Sequence, residues 1–431
     1  MKPFSLSATF IIRPILGLVS IALGAAARGQ PAEAVPLPTL VGEIVSNNPE
    51  RKFYEEEIAA AKAGARIASR LSDPEVSLDL GQKRLRDSTG AKIGDGTVWS
   101  VSVTQTFEWP GRLSLRKAIA SRQVELAELG VARFENALRA RAGTLAFGLY
   151  AANAKAATIR EVSDRFSALK ETFLARDPAG VTPLLETRVI EASELALQRR
   201  ATEAELAVQA ALIELNQLRG AAVDAPLRVA TPALTFNAVP SSSELLAAAR
   251  EKNFDYRMRL VELEQQGFAV RLARNERYPG ISVGPYLSRD NVGERETIVG
   301  LGLSVPLPVT GRTGAAVEVA NARRRQAEAA VLVALRELDR EVVTASQAFA
   351  TKLAESRRWS PDSVKKFREA AELADRHYRL GAVPIATYVE LQNSYLDAVE
   401  ALLDTQREAL EAGLKLQQLT GLDFNPVEIA P

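Results

Sequence analysis

The sequence predicts an α+β membrane protein in which β-hairpins pooled from several copies close a barrel that long paired helices continue. Three observations carry this expectation. The chain repeats itself at a spacing of about 200 residues, each repeat holds two strands of period two, and each hairpin feeds a helix too long for a compact domain.

The duplication rests on anchors that recur in order. Asn48 and Pro74 return as Asn253 and Pro279, and the turn Pro110-Gly111-Arg112 returns as Thr310-Gly311-Arg312. The closing segment from Gly180 and Pro183 to Gln217, Leu218 and Gly220 returns as Gly381, Pro384, Gln418, Leu419 and Gly421. The spacing falls from 205 to 200 between the two strands, where the polar loop 84–96 faces a shorter partner, 288–296. Surface loops absorb such length changes at little cost.

The N-terminus has Lys2 and Arg13, an apolar stretch from Ile15 to Leu23 and then small residues. That reads as a secretory signal over 1–34, cut near 27 or 34, with a disordered or anchoring segment as the alternative. The first repeat then covers 35–225, a linker 226–241, the second repeat 242–424 and a tail 425–431. Helical runs from Leu40 to Leu71 and from Ser243 to Tyr278 lead into the hairpins at Pro74 and Pro279.

Strands are expected at 74–83, 97–109, 279–287 and 297–308. In the first hairpin Val76, Leu78 and Leu80 alternate with Ser77, Asp79 and Gly81, while Trp99, Val101, Val103, Phe107 and Trp109, interrupted only by Gln105, oppose Ser100, Ser102, Thr104, Thr106 and Glu108. In the second, Val299, Leu301, Leu303 and Val305 oppose Gly300, Gly302 and Ser304. A half-buried strand of a water-soluble sheet alternates in the same way. Trp99 and Trp109 near the ends of one face, set against a small, hydroxylated opposite face, favour lipid on one side and water on the other. Four strands cannot enclose an interior, since about eight are needed even for one filled by side chains.

Long helices are expected at 112–176 and 312–379, the first about 98 Å long at 1.5 Å per residue. Ile159, Val162, Phe166, Leu169 and Phe173 step by three and four, as do Val331, Leu335, Leu338, Val342, Ala345 and Phe349, so each helix needs a partner along that seam. Pro361, with Ser360 before it as an N-cap, should kink or restart the second helix. Return helices follow over 184–219 and 385–420.

Composition removes whole classes of function. The 54 basic and 53 acidic side chains leave a net charge of +1, which gives no footprint for nucleic acid. With no cysteine and only His377 for histidine, thiol chemistry and a histidine- or thiolate-based metal site are excluded. No cofactor and no catalytic residue is expected. An adaptor-like coiled-coil protein of the periplasm, never entering lipid, is the competing reading; it gives no reason for an apolar face opposite a hydroxylated one.

Strand, loop, strand, long helix, turn and short helix, given twice, resembles the TolC family of outer-membrane efflux channels. The resemblance also rests on Asn48-Pro49-Glu50 and Asn253-Phe254-Asp255, on Ser304-Val305-Pro306-Leu307-Pro308 before Gly311-Arg312, on Tyr378-Arg379-Leu380-Gly381, and on Gln418-Leu419-Thr420-Gly421. It covers residues 37 to 424, and the run from Gln105 to Arg112 resembles the heavy-metal, CzcC-like branch. The resemblance implies a homotrimer with a twelve-stranded barrel in the outer membrane of a Gram-negative-type cell and a helical tunnel in the periplasm. It implies a periplasmic adaptor, or membrane fusion protein, and an inner-membrane pump of RND type, with heavy-metal cations as cargo. Carried over residue by residue, adaptor contacts fall on Gly180, Val181, Arg379, Leu380, Gly381 and Val383 at the two turns. The family often narrows the tip with aspartates; here the corresponding position is Thr387, and the nearest acids are Glu390 and Glu186.

Overall fold

A computed structural model describes residues 34–174, 181–292, 294–359, 361–422 and 427–430. In chain order the elements of the first half are β1 (Ala34–Val35), α1 (Leu37–Asn47), α2 (Glu50–Ala68), β2 (Glu75–Arg86), β3 (Lys92–Phe107), α3 (Arg112–Leu174) and α4 (Val181–Leu218). Then come β4 (Arg228–Val229), β5 (Ala233–Phe236), α5 (Ser242–Lys252), α6 (Phe254–Asn275), β6 (Ile281–Val292), β7 (Glu294–Ser304), α7 (Arg312–Ser356), α8 (Pro361–Arg379), α9 (Ile385–Thr420) and β8 (Val427–Ala430).

The hairpins form one antiparallel sheet in the order β2-β3-β6-β7, so β2 and β7 are open edges. Both hairpins run further into the expected loops than the sequence suggests, because pairing continues to Arg86 with Lys92 and to Val292 with Glu294. In the first turn the Asp87 carboxylate accepts bonds from the Thr89 and Ala91 amides and the Thr89 hydroxyl, which replaces ladder bonds lost at the reversal. At the other end the strands stop early. β7 ends at Ser304 rather than 308, since Pro306 and Pro308 have no N–H to donate, and β3 ends at Phe107, just before Pro110. Val305 and Trp109 therefore lie beyond the strands in which they were expected.

The helices follow the strands in the same lateral order. α2 packs on α3, α3 on α6 and α6 on α7. α3 is continuous for 63 residues, about 95 Å, whereas the second strut is divided into α7 and α8. Pro361 opens α8 at a first-turn position, where its missing N–H costs nothing; Ser360 lies outside the described residues.

Two corrections concern the entry helices and the linker. The run expected from Leu40 to Leu71 is two helices that part at Asn48, and its counterpart parts at Asn253; both asparagines are extended, with ψ 127° and 124°. Their side chains hold the breaks in place. Asn48 Nδ2 donates to the Leu218 carbonyl at 2.8 Å, Asn253 Nδ2 donates to the Leu419 carbonyl at 3.1 Å, and each Oδ1 accepts an amide of the helix that follows. Each asparagine thus ties an entry helix to the last turn of a return helix. The span 226–241, expected as a linker, contains β4 paired in parallel with β1 and β5 paired antiparallel with β8, which takes up part of the expected tail.

These small sheets flank the larger core, where Leu37, Leu40 and Ile44 of α1 meet Phe147 of α3, Phe349 of α7 and Leu410 of α9. In that core Asn253→Ala would strip a buried carbonyl of its donor and α6 of its cap. The expected loss is about 1–3 kcal/mol, read as a lower denaturation midpoint, with Asn253→Asp less harmful to the cap than to the carbonyl.

Candidate functional site

Cross-strand registry sorts the sheet into two unlike faces. Val76, Leu78 and Leu80 pair with Val103, Val101 and Trp99, and the row continues through Phe107, Ile281, Val283 and Leu287 to Val299, Leu301 and Leu303. Leu80 and Val299 are each 77% exposed, and Leu301 and Leu303 are nearly as open. The opposite face carries Ser77, Asp79, Ser100, Ser102, Thr104, Thr106, Ser282, Ser288 and Ser304, with Ser100 bonded to Asp79 and Thr106 to Ser282. Trp99 lies opposite Arg289 at one border of the apolar face. Trp99 to the end of β3 at Phe107 is nine residues, within the roughly 9–11 residues of a membrane-spanning strand. On the polar face Tyr286 lies across Gly300, where a Cβ would come within 2.6 Å of the ring. Among the described residues no helix is long and apolar enough to cross a membrane, which says nothing of strands.

Where strand becomes helix, a clasp joins the two repeats. Trp109 stacks on Tyr278 with ring centroids 5.0 Å apart, and Asn275 Nδ2 donates to the Pro110 carbonyl at 3.0 Å. Arg112 donates to the Tyr278 carbonyl at 2.5 Å and to Asn275 Oδ1 at 3.3 Å. Gly111 makes the turn with φ 85°, a conformation costly for any side chain. The sequence singles out Arg112 only as part of a recurring turn; its partners lie more than 160 residues away and carry no local signal.

At the far end, α8 passes into α9 through a tight reversal. Gly381 has φ 72°, its amide donates to the Tyr378 carbonyl at 2.9 Å and the Ala382 amide to the His377 carbonyl at 2.9 Å, the paired bonds of a Schellman ending. Leu380 protrudes, 80% exposed, while Val383 packs inward and Arg379 donates to Asp375 at 3.0 Å. Of the other turn, Gly180 lies outside the described residues and Val181 opens α4.

An aromatic ladder fixes this tip. Tyr388, fully buried, stacks on Tyr378 at 5.4 Å and tilts against Phe166 at 5.1 Å, with Val162, Leu169, Ile190 and Leu197 around them. Tyr378 donates from its hydroxyl to Glu186 at 3.4 Å. Burial pushes both phenols well above their ordinary pKa, with the Glu186 carboxylate adding to the shift at Tyr378 and Asp375 at Tyr388. Arg165 and Arg368 share Glu161 at 2.7 and 3.1 Å, linking α3 to α8. Within one chain Glu186 serves Tyr378, Thr387 is half-buried and Glu390 faces solvent. Tyr388 escaped the sequence reading, although it stands ten residues after Tyr378 and three after Ile385 on a strongly periodic helix.

This geometry has clear counterparts among known proteins. Residues 245–422 match the family model described as outer membrane efflux protein. A membrane protein from Pseudomonas aeruginosa has the same fold with a TM-score of 0.73 at 20% identity, over 89% of this chain and 90% of that one. The CmeC outer membrane channel of Campylobacter jejuni gives 0.72 at 16% identity, over 89% and 85%. The open state of the MtrE outer membrane channel of Neisseria gonorrhoeae gives 0.71 at 16%, over 89% and 88%. No curated protein matches the sequence. The family model covers residues 245–422, within the second repeat, and the solved outer membrane channels share the fold over most of the chain.

Proposed function

We propose that the chain is one subunit of a homotrimeric outer-membrane duct, the passive exit of a tripartite efflux system. The observation that carries this is the four-stranded sheet, apolar on one face, hydroxylated on the other and open at both edges. Three copies supply twelve strands, more than the roughly eight a barrel needs, with lipid outside and water within. The helices, laid out in strand order, continue the wall into the periplasm. Energy comes from an inner-membrane pump of RND type through a periplasmic adaptor, and on the CzcC-like resemblance of residues 105–112 the cargo is heavy-metal cations.

Heat-sensitive trimers in the outer-membrane fraction are the expected result, and recovery of the mature protein as a soluble monomer would overturn the proposal. Cargo is decided by a deletion strain challenged with transition metals and hydrophobic drugs: lost metal tolerance supports the metal assignment, whereas lost drug tolerance alone reverses it.

The adaptor would dock on the tip, where Arg379, Leu380, Gly381 and Val383 gather at one reversal, with Gly180 and Val181 at the other and Glu186, Thr387 and Glu390 within reach of a constriction. Burying a leucine contributes about 1.5–3 kcal/mol, and about 1.4 kcal/mol is tenfold in affinity. Leu380→Glu should therefore weaken adaptor binding at least about tenfold while trimers persist; unchanged affinity in a binding assay would remove Leu380 from the docking surface.

A further inference from the structure

We infer that the apolar face of the sheet ends, on the side of the hairpin turns, in a binding site for the phosphorylated headgroup of an outer-leaflet glycolipid, held by Arg84, Arg289 and Arg295. This rests on the proposed duct, which puts those turns outside the cell and the helices in the periplasm.

The turns lie at the end of the sheet farthest from the helices, and cross-strand registry fixes the face on which each charge stands. Leu80, Trp99, Arg289 and Thr297 form one row at the border of the apolar face. Two residues further on, Gln82 pairs with Thr97 and Asn291 with Arg295, and beyond them Arg84 pairs with Asp95 and, past a register shift, Arg86 with Lys92. Side chains on one face recur at every second residue, so these rows continue the apolar side. Contacts agree with the registry: Arg84 and Lys92 both reach Asp95, at 3.7 and 3.0 Å.

The hydroxylated face has the opposite sign. Asp79, Asp290 and Glu296 stand there with Lys83, which is bonded to Asp290. Among the described side chains on the two faces at this end, Arg84, Arg86, Lys92, Arg289 and Arg295 share the outward face with one carboxylate, Asp95, while the inward face is acidic apart from Lys83. A turn that merely needed solvation would have no reason to separate its charges by face. Cargo on the inward side meets none of the outward bases.

Depth and availability fit a lipid headgroup. At about 3.3 Å per residue and a strand tilt of about 40°, Arg295 stands about 5 Å and Arg84 about 10 Å beyond the border row. Headgroups add about 5–8 Å to the hydrocarbon on each side. Arg289 and Arg295 are exposed and make no hydrogen bond or ion pair among the described residues, and Arg84 is 66% exposed. A guanidinium presents paired donors that match phosphate oxygens. Directly below, Val101, Leu287 and Val299 give the acyl chains of the same molecule an apolar wall.

The test uses purified trimers in detergent, titrated with bisphosphorylated lipid A or with its phosphate-free form, bound lipid being counted by native mass spectrometry. The phosphorylated form should bind in preference, and added salt should weaken it. Arg84→Gln with Arg289→Gln and Arg295→Gln should lower that affinity at least about tenfold. Lys83→Gln removes one positive charge from the other face and should leave it unchanged. Equal binding of both lipid forms, undiminished binding by the triple variant, an equal loss in Lys83→Gln, or displacement by inorganic phosphate at matching concentration would overturn the headgroup site and leave the duct standing. Should the triple variant fail to assemble, the comparison of the two lipid forms on the unaltered trimer, with Arg295→Gln alone, decides the matter. A soluble monomer would overturn both the site and the duct.

Discussion

Leu301→Arg should remove the assembled protein from the membrane. Leu301 lies opposite Pro285 in the middle of the apolar face, flanked by Val299 and Leu303, and is 74% exposed among the described residues. An arginine facing lipid near the bilayer midplane costs about 2–4 kcal/mol, and a symmetric trimer incurs that cost three times. Immunoblots of outer-membrane fractions should show heat-sensitive oligomer lost and misassembled chain accumulating in the periplasm. Gly302→Ser is the matched control. Its side chain would point to the hydroxylated face, where a Cβ meets the Gly284 carbonyl at an unstrained 3.5 Å, so assembly should be unchanged. Normal oligomer levels for Leu301→Arg would mean that this face does not meet hydrocarbon.

The second large effect is expected at Tyr388. Truncating a fully buried aromatic to alanine costs about 3–5 kcal/mol through lost contacts and an unfilled cavity. Tyr388 joins the tip helices through Tyr378 and Phe166, so Tyr388→Ala should loosen the tip first. Hydrogen exchange over α8 and the start of α9 should accelerate by orders of magnitude while β2, β3, β6 and β7 keep their protection. Tyr388→Phe is expected to behave oppositely. The Tyr388 hydroxyl is buried without a hydrogen-bond partner among the described residues, so removing it relieves a desolvated group and should leave protection equal or raised. Equal damage from both substitutions would show that the hydroxyl, not the ring, holds the tip.

Much of this architecture is legible in the residues. The alternation of Trp99, Val101, Val103 with Ser100, Ser102, Thr104 declares the strand, and the proline-free stretch after Arg112 declares the long helix. Phe166 and Leu169, or Val342 and Phe349, declare a buried seam, since a helix face buried against another must repeat at three and four. Other features depend on partners far along the chain. The breaks at Asn48 and Asn253 exist because a return helix 170 and 166 residues away offers a carbonyl to each side chain. Strands of two to four residues, such as β4, β5 and β8, are too short for period two to register, and only their pairing reveals them. Pro306 and Pro308 did carry a readable signal: a residue without an N–H ends a ladder whatever the alternation around it suggests. The tip is half legible. Gly381 announces a reversal, but Tyr388 looks like any apolar position until Tyr378 and Phe166 close on it.

Because strands and helices share one lateral order, β2-β3-β6-β7 above α2-α3-α6-α7, the molecule resembles a set of staves, each running from one storey into the next. α2, α3, α6 and α7 carry the strand order into the helical layer, while α4 and α9, which no strand matches, pack on α3 and α7. In the proposed assembly the bore of the barrel would thereby be set by how many chains stand in the circle, with side chains only trimming it.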